Sequence, residues 1–97
     1  MSYSLHRSAE QDLTDAFRFY KTEAGRGVAG RFLKEFERVM KILEEFPHLG
    51  TPTNDERRAY PLSGFPYSII YRSVDTGVRV LALRHQSRDP TFGDDRS

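Results

Sequence analysis

Arginine is concentrated in the second half of the chain. Between positions 57 and 88 there are six arginines and no lysine, and Asp75 is the only acidic residue. The planar guanidinium forms forked hydrogen bonds with carboxylates and phosphates, so arginine is favoured where an acidic group is bound. The pattern therefore predicts either a surface that faces an anion or an acidic partner, or a charged surface that only keeps the protein soluble.

Few other side chains have types and spacing that support chemistry. His6, His48 and His85 fall in three separate predicted elements without the spacing of metal ligands, and the chain has no cysteine. The sequence contains no nucleophile elbow and no phosphate-cradling glycine loop. Glu44 and Glu45 are neighbours at a predicted helix end, which favours a solvated surface over a pair of catalytic acids. We therefore expect no metal, no cofactor and no catalytic residue.

The composition is that of one ordinary globular domain covering residues 1–97. Of its 97 residues, 37% are hydrophobic and 30% are charged, which supports one modest core. The absence of cysteine suits a reducing compartment. The first seven residues contain no apolar segment, and no apolar run is long enough to span a membrane. We therefore expect a cytoplasmic protein without a signal peptide.

The elements that must position the arginines are organised around residues 65–88. Two runs rich in β-branched and aromatic residues, Tyr67–Ser73 and Val78–His85, are separated by a turn in which Gly77 is able to take a positive φ. This arrangement predicts a β-hairpin. The second run has apolar residues on both of its faces, which predicts a central strand covered from both sides.

Helical periodicity dominates the first half of the chain. A short strand at residues 3–6 is followed by a helix in which Ser8 and Gln11 fit a capping box. The glycine-containing segment 25–27 is predicted to end this helix, and a second helix is predicted for residues 28–46. The apolar stripes of the two helices predict an antiparallel helical hairpin.

The remaining segments complete the predicted fold. Residues 47–52 are predicted to be a rigid, turn-rich connector, and residues 57–62 a weaker strand that ends at Pro61. The resulting order is β-α-α-β-β-β, an α+β fold with the helical hairpin on one face of a largely antiparallel sheet. Because the chain supplies only one helical layer, the other sheet face is predicted to be an apolar groove that a partner fills, or alternatively to be closed by the C-terminal tail or by a homodimer.

Two tyrosines of the first hairpin strand have two interpretations. Tyr67 and Tyr71 are two residues apart and share a strand face, so both would be able to stack on a base or on a partner side chain. Burial in the core with the hydroxyl at the rim is the alternative, and it is the one that the usual burial of tyrosine favours.

Several short segments across the chain form a recognisable constellation. They are Tyr3-Ser4-Leu5, Ala9, Asp12, Leu13, Pro47, Gly50, Pro52, Arg57-Arg58, Phe65-Pro66-Tyr67, Ile69-Ile70-Tyr71-Arg72, Leu83-Arg84-His85 and Arg88-Asp89-Pro90. Together they resemble the ParE/RelE superfamily of small toxins from type II toxin–antitoxin pairs. The patterns FPY-x-I-x-Y and H-x-x-R-x-P are the most specific, and the resemblance covers nearly the whole chain. The order of elements derived above is also the order that this family implies.

The resemblance implies one of two activities. RelE-like members cleave messenger RNA on the ribosome, which needs groups that activate the ribose hydroxyl, hold the phosphate and protonate the leaving oxygen. The lysine positions of that branch fall on Ala59 and Pro61, and its arginine positions on Ser68 and near Gln86. Its tyrosine position falls on Phe92, which cannot exchange a proton. These losses argue against the nuclease.

The ParE-like branch fits the chain better, because of the ending at residues 85–90. This branch implies poisoning of DNA gyrase by binding rather than catalysis, and neutralisation by a cognate antitoxin. Two alternatives stay open. One is a RelE-like ribosome-dependent mRNA endonuclease in a register shifted by one or two residues, and the other is a superfamily member that has lost toxicity.

The predicted partner-binding residues are Arg57, Arg58, Arg72, Arg84, His85 and Arg88. Around an apolar groove, these residues suit an acidic, amphipathic segment that folds on docking, as an antitoxin tail of this family would be. Arg58 and Arg72 are predicted to form the forked pairs with its carboxylates, in an interface of roughly 2,000 Å² or more. Neither a membrane partner nor direct nucleic-acid binding is expected.

Overall fold

Two helices lie against one face of a five-stranded sheet in the part of the chain that the computed structural model describes, residues 2–86. The elements in chain order are β1 (Ser2–Leu5), α1 (Arg7–Ala24), α2 (Arg26–Glu45), β2 (Thr51–Pro52), β3 (Arg58–Pro61), β4 (Tyr67–Val74) and β5 (Gly77–His85). The order of strands in the sheet is β1-β5-β4-β3-β2, with β1 parallel to β5 and the other neighbours antiparallel. The predicted α+β fold is confirmed.

One strand of the sheet is absent from the sequence prediction. Thr51 and Pro52 form β2 and pair with Ala59 and Arg58 of β3, in a segment predicted to be only a connector. Two residues cannot show an alternating pattern, and proline is a poor strand former. Only the pairing with β3 therefore defines this strand.

Helix α1 begins earlier than predicted. Its N-cap is His6, whose Nδ1 accepts a hydrogen bond from the Ser8 amide at 3.0 Å. The His6 amide donates to the Val80 carbonyl at 2.8 Å, so the chain passes from the sheet into the helix at this residue. The predicted capping box is therefore wrong, and the Gln11 side chain donates to Asp15 at 2.8 Å instead.

A single residue joins the two helices. Gly25 has φ of +91° and is both the C-cap of α1 and the N-cap of α2. The predicted three-residue break at 25–27 is too long, because α2 already includes residues 26 and 27. A glycine in the left-handed region reverses the chain in one step, which allows this short connection.

The core lies between α2 and the two long strands. The buried residues of α2 are Ala29, Phe32, Phe36, Val39, Met40 and Leu43, as its periodicity predicts. In the same cluster are the sheet residues Ile69, Tyr71, Val78, Val80 and Leu83. Burial of these side chains holds the helical hairpin on one face of the sheet.

The β4–β5 hairpin forms as predicted. Asp75 and Thr76 make a two-residue turn, and Gly77 follows with φ of +144°. Gly77 lies opposite Ser2 of β1, where a Cβ atom would stand 1.8 Å from the Ser2 carbonyl oxygen. Only glycine fits this position, because both the backbone angle and the approach of β1 exclude a side chain.

A β-bulge and a helix side chain shape the far half of β5. The register shifts between Ile70 and Tyr71, and Leu81 is the extra residue on β5. The pairing with β1 ends at Val80. Beyond that point the Leu83 amide donates to Oδ2 of Asp12 on α1 at 3.1 Å, so a carboxylate satisfies the backbone where β1 has ended.

The turn between β2 and β3 is strained. Its central residues, Asp55 and Glu56, have φ of +52° and +62°, and the Arg57 amide donates to the Asn54 carbonyl at 2.9 Å. Two positive φ angles are typical of a type I′ turn, where asparagine and glycine are preferred. A glutamate in the left-handed region costs about 1 kcal/mol or more.

Replacing Glu56 by glycine is expected to stabilise the protein by about 0.5 kcal/mol. Glycine removes the backbone strain of the positive φ, and this gain exceeds the free-energy cost of the larger conformational entropy that glycine gives the unfolded chain. Thermal unfolding followed by circular dichroism measures the change. The same substitution at Glu37, exposed on α2, is the matched control and should destabilise by about 1 kcal/mol. A lower melting temperature for Glu56→Gly than for the wild type would contradict the strained turn.

Glu35 of α2 holds the loop after β3 against the helix. Its carboxylate accepts bonds from Nε and Nη2 of Arg38 and from the Ser63 amide, all at 2.7 Å. The bonds from Arg38, followed by the bond from Ser63, hold the pKa of Glu35 below its ordinary value against the opposing effect of burial. The ionised carboxylate is therefore the form that stabilises this contact.

The variant Glu35→Gln is expected to be less stable than the wild type by about 1 kcal/mol at neutral pH. A lowered pKa in the folded state gives stability that is full above the unfolded pKa of about 4.3 and is lost as pH falls through the folded pKa. Urea unfolding at pH 7 and at about pH 2.5 should therefore show a difference that closes in acid. Glu23→Gln, on the exposed surface of α1, is the control. An equal difference at both pH values would contradict this role of the carboxylate.

Candidate partner-binding site

Three arginines lie on one face of the sheet. Arg72 of β4 is opposite Arg79 of β5, and Arg84 is opposite Ser68. Directly opposite residues share a face, and so do alternate residues of β4. The residue beside Arg72, Tyr71, lies in the core under the helices. Arg72, Arg79 and Arg84 therefore share the face that points away from the helices, which we term the arginine face.

The arginine face is not an open apolar groove, so that prediction is wrong. Ile70 and Ala82, which pair with each other on this face, are 4% and 0% exposed, and the bulge residue Leu81 is 0% exposed. The prediction counted only helices as cover for the sheet. Long side chains also remove sheet surface from water, and all three arginines of this face are half-buried.

Arg58 has a structural position that the sequence did not indicate. Its Nη1 donates to the carbonyl oxygens of His48 and Gly50 at 3.0 and 2.8 Å. It pairs with Tyr71 across β3 and β4, and thus belongs to the other side of the sheet from the arginine face. This arginine holds the loop between α2 and β2.

Arg57 lies in a polar cleft beside the β2–β3 turn. The cleft is lined by His48, Pro52, Thr53, Glu56, Arg57, Arg58 and Ser73. Arg57 is 8% exposed, and Ser73 directly follows Arg72 on β4. Two guanidinium groups with hydroxyl groups nearby form a surface on which a carboxylate would find several donors.

The Tyr71 hydroxyl completes the support of the α2–β2 loop. It accepts a bond from the Gly50 amide and donates to the Pro47 carbonyl, both at 2.9 Å. Burial raises the pKa of this hydroxyl, although the bond from Gly50 opposes the change. A Cβ at Gly50 would lie 2.5 Å from the hydroxyl oxygen, so this glycine is required by close approach. The core interpretation of Tyr71 is confirmed.

His85 and Tyr67 belong to an aromatic cluster and not to the arginine face. The ring centroids of these two residues are 5.1 Å apart in an edge-on arrangement. Tyr67 also contacts Tyr20 and Phe32 of the helices, at 6.3 and 5.9 Å. The core interpretation therefore holds for Tyr67 as well, and its stacking on a base finds no support in these contacts.

The structure thus divides the described members of the predicted partner-binding set among four places, one of which is the aromatic cluster that contains His85. Arg72 and Arg84 are on the arginine face, Arg57 is in the polar cleft, and Arg58 is under the α2–β2 loop. Arg88 lies outside the described residues. The prediction omitted Arg79, although the sequence contained the signal: a two-residue turn that pairs Val74 with Gly77 also places residue 79 opposite residue 72.

Three positions that the nuclease branch predicts lie on two neighbouring strands. Ala59 and Pro61 are on β3 and Ser68 is on β4, where Pro61 and Ser68 stand opposite each other. Phe92 lies outside the described residues. Within residues 2–86, the acidic and histidine side chains form no group of three that would hold a metal ion.

Comparison with known proteins decides the family. A model described as "ParE toxin of type II toxin-antitoxin system, parDE" matches residues 3–90. The chain belongs to the ParE toxin family. The ParE-like branch of the predicted superfamily is therefore confirmed, and the chain is the toxin of a type II toxin–antitoxin system, which implies a cognate antitoxin as its partner.

Curated relatives and a solved structure agree with this assignment. Toxin ParE2 of Mycobacterium tuberculosis is 28% identical over 86 residues, which are 89% of this chain and 82% of the relative. Toxin ParE1 of Caulobacter vibrioides is 25% identical over 85 residues, 88% of each chain. A chain from the chromosomal ParDE TA system of P. aeruginosa superposes with a TM-score of 0.75 at 22% identity, covering 88% of this chain and 95% of that one. This last likeness shows a shared fold.

Neither helix of this ParE-family toxin within residues 2–86 combines the length and apolar character that crossing a bilayer requires.

Proposed function

We propose that this toxin inhibits DNA gyrase in the cytoplasm by binding it, and that an acidic, amphipathic segment of its antitoxin holds it inactive. The observation that carries the proposal is the family match over residues 3–90. The arginine face, with Arg72, Arg79 and Arg84 on neighbouring strands, supports the acidic character of the antitoxin segment. The positions of Ala59, Pro61 and Ser68 support binding over RNA cleavage.

The arginine face favours a partner with carboxylates. Arg72 and Arg79 stand directly opposite each other, and like charges in this arrangement destabilise a sheet by about 0.2–1 kcal/mol. A carboxylate placed between them turns this repulsion into charge-assisted hydrogen bonds. Because the apolar residues of this face are already buried, recognition here is mainly electrostatic, and the association rate falls steeply with salt. Arg57 of the polar cleft is a further proposed contact.

A supercoiling assay tests the proposed target. The purified toxin is added to gyrase, ATP and relaxed plasmid, and we expect supercoiling to be inhibited and then restored by stoichiometric antitoxin. Relaxation by a type I topoisomerase serves as the control and should be unaffected. Full supercoiling in the presence of excess folded toxin would refute gyrase as the target.

Toe-printing on programmed ribosomes tests the RelE-like alternative. No cleavage of messenger RNA in the ribosomal A site is expected, because the nuclease-branch positions lack groups for acid–base chemistry. Cleavage that is abolished in Arg84→Ala or His85→Ala would establish the alternative and overturn the proposal.

A further inference from the structure

A turn at the end of α2 exposes two large apolar side chains. The Leu49 amide donates to the Phe46 carbonyl at 3.1 Å, which closes a turn that we term the apolar turn, residues 46–49. Phe46 is 57% and Leu49 is 52% exposed. Both side chains line one shallow, mainly apolar depression together with Glu45, Pro47 and His48.

The apolar turn is held from below by the side chains of Tyr71 and Arg58. The Tyr71 hydroxyl bonds Pro47 and Gly50, and Nη1 of Arg58 bonds the carbonyls of His48 and Gly50. Four hydrogen bonds from two strands thus fix the backbone beneath two exposed apolar side chains. A surface whose conformation is fixed before binding loses less conformational entropy when a partner docks. Such preorganised surfaces favour the hot spots of protein interfaces.

The surroundings of the apolar turn on its helical side are acidic. Glu44 and Glu45 end α2, whose last turn contains no basic residue, and the carbonyl end of a helix adds partial negative charge. A partner that docks here gains from lysine or arginine beside an apolar side chain.

A second copy of the chain does not suit this surface. A twofold contact through the apolar turn would bring Glu44 and Glu45 close to their own copies, and like charges oppose such contact.

We propose that the apolar turn is the contact site for the protein that the toxin inhibits, which docks with an apolar side chain flanked by lysine or arginine. The inference rests on the proposed inhibitory function and adds a second surface, with Glu44 and Glu45 on its helical side, apart from the arginine face that is proposed to meet the antitoxin. Phe46 and Leu49 supply the apolar contact, and Glu45 supplies charge complementarity. Inhibition and neutralisation therefore depend on different residues of one small domain.

The double variant Phe46→Ser/Leu49→Ser tests the proposal. Both side chains are exposed, so the melting temperature and the affinity for the antitoxin should stay within error of the wild type. Inhibition of gyrase should weaken at least tenfold. Glu45→Lys should also weaken inhibition, through charge alone. Phe19→Ser is the matched control, because Phe19 is 55% exposed on α1, and this variant should inhibit like the wild type.

The other possible outcomes separate a failure of the inference from a failure of the proposed target. Unchanged inhibition by the double variant, or an equal loss in Phe19→Ser, overturns the inference. A wild-type dimer that the double variant dissociates in light-scattering measurements also overturns it, in favour of self-association. If the wild-type toxin leaves gyrase active, gyrase is not the target. Growth arrest of cells that express the toxin is then measured in place of gyrase inhibition. Loss of arrest in the double variant alone then supports the inference, whereas a harmless wild type refutes it.

Discussion

Replacing Gly77 by alanine is expected to lower the free energy of unfolding by about 3 kcal/mol or more, a large part of the 5–15 kcal/mol typical of a domain. Two costs add. A residue with a side chain at φ of +144° is strained by about 1–3 kcal/mol. Its Cβ would also stand 1.8 Å from the Ser2 carbonyl oxygen, and because that atom belongs to the backbone, β1 must move away from β5.

Urea unfolding of Gly77→Ala against the wild type measures this loss. Gly30→Ala is the matched control, because a Cβ at Gly30 meets nothing within 4 Å and alanine favours the helix by up to about 1 kcal/mol. If Gly77→Ala is recovered only as insoluble protein while Gly30→Ala folds, the prediction is equally supported. Equal stability of Gly77→Ala and the wild type would show that β1 does not need its close approach to the hairpin.

Replacing Arg72 by glutamine is expected to weaken antitoxin binding by tenfold to a hundredfold and to leave stability equal or higher. Removal of one member of a buried charge pair costs about 2–5 kcal/mol, and the half-buried position of Arg72 places the effect at the lower end. The same change removes the repulsion between Arg72 and Arg79, which adds up to about 1 kcal/mol to stability. Opposite effects on binding and stability distinguish a binding residue from a structural one.

Calorimetric titration with the antitoxin at low and high salt measures the loss of affinity, and thermal unfolding measures stability. Arg31→Gln, exposed on α2, changes the net charge equally and is expected to bind almost like the wild type. Arg58 is unsuitable for this test, because its removal also frees the α2–β2 loop. Unchanged affinity in Arg72→Gln would remove the arginine face from the antitoxin interface.

The helical hairpin and the main β-hairpin were predictable because their signals are local. The apolar stripe of residues 28–46 repeats with the helical period, and every position of that stripe is buried except Leu33, which is half-buried. The hairpin prediction rested on Gly77 and two strand-forming runs, and the two-residue turn directly precedes that glycine. The start of α1 was mispredicted because a distant residue, Val80, fixes the His6 amide.

The partner-binding site was predictable only in part, because residue types give the charges of side chains but not the directions in which the side chains point. The two strand-forming runs correctly placed Arg72 and Arg84 on the sheet, whereas their role in partner binding stays a prediction. The sequence did not show that Arg58 turns towards two loop carbonyls, because that bond depends on how the α2–β2 loop returns to the sheet. The prediction of an apolar groove failed for a similar reason. Ile70 and Ala82 lie on the sheet face away from the helices and are nevertheless buried, which their residue types do not indicate.

Composition, periodicity and short motifs are properties of nearby residues, and they were enough to indicate the family, the α+β class and the basic character of the second half. Tertiary structure alone decided the pairing of Arg72 with Arg79, the bulge at Leu81 and the exposure of Phe46 and Leu49. These features arise where segments far apart in the chain meet, and close contact there selects one register and one loop path from several that the local sequence allows.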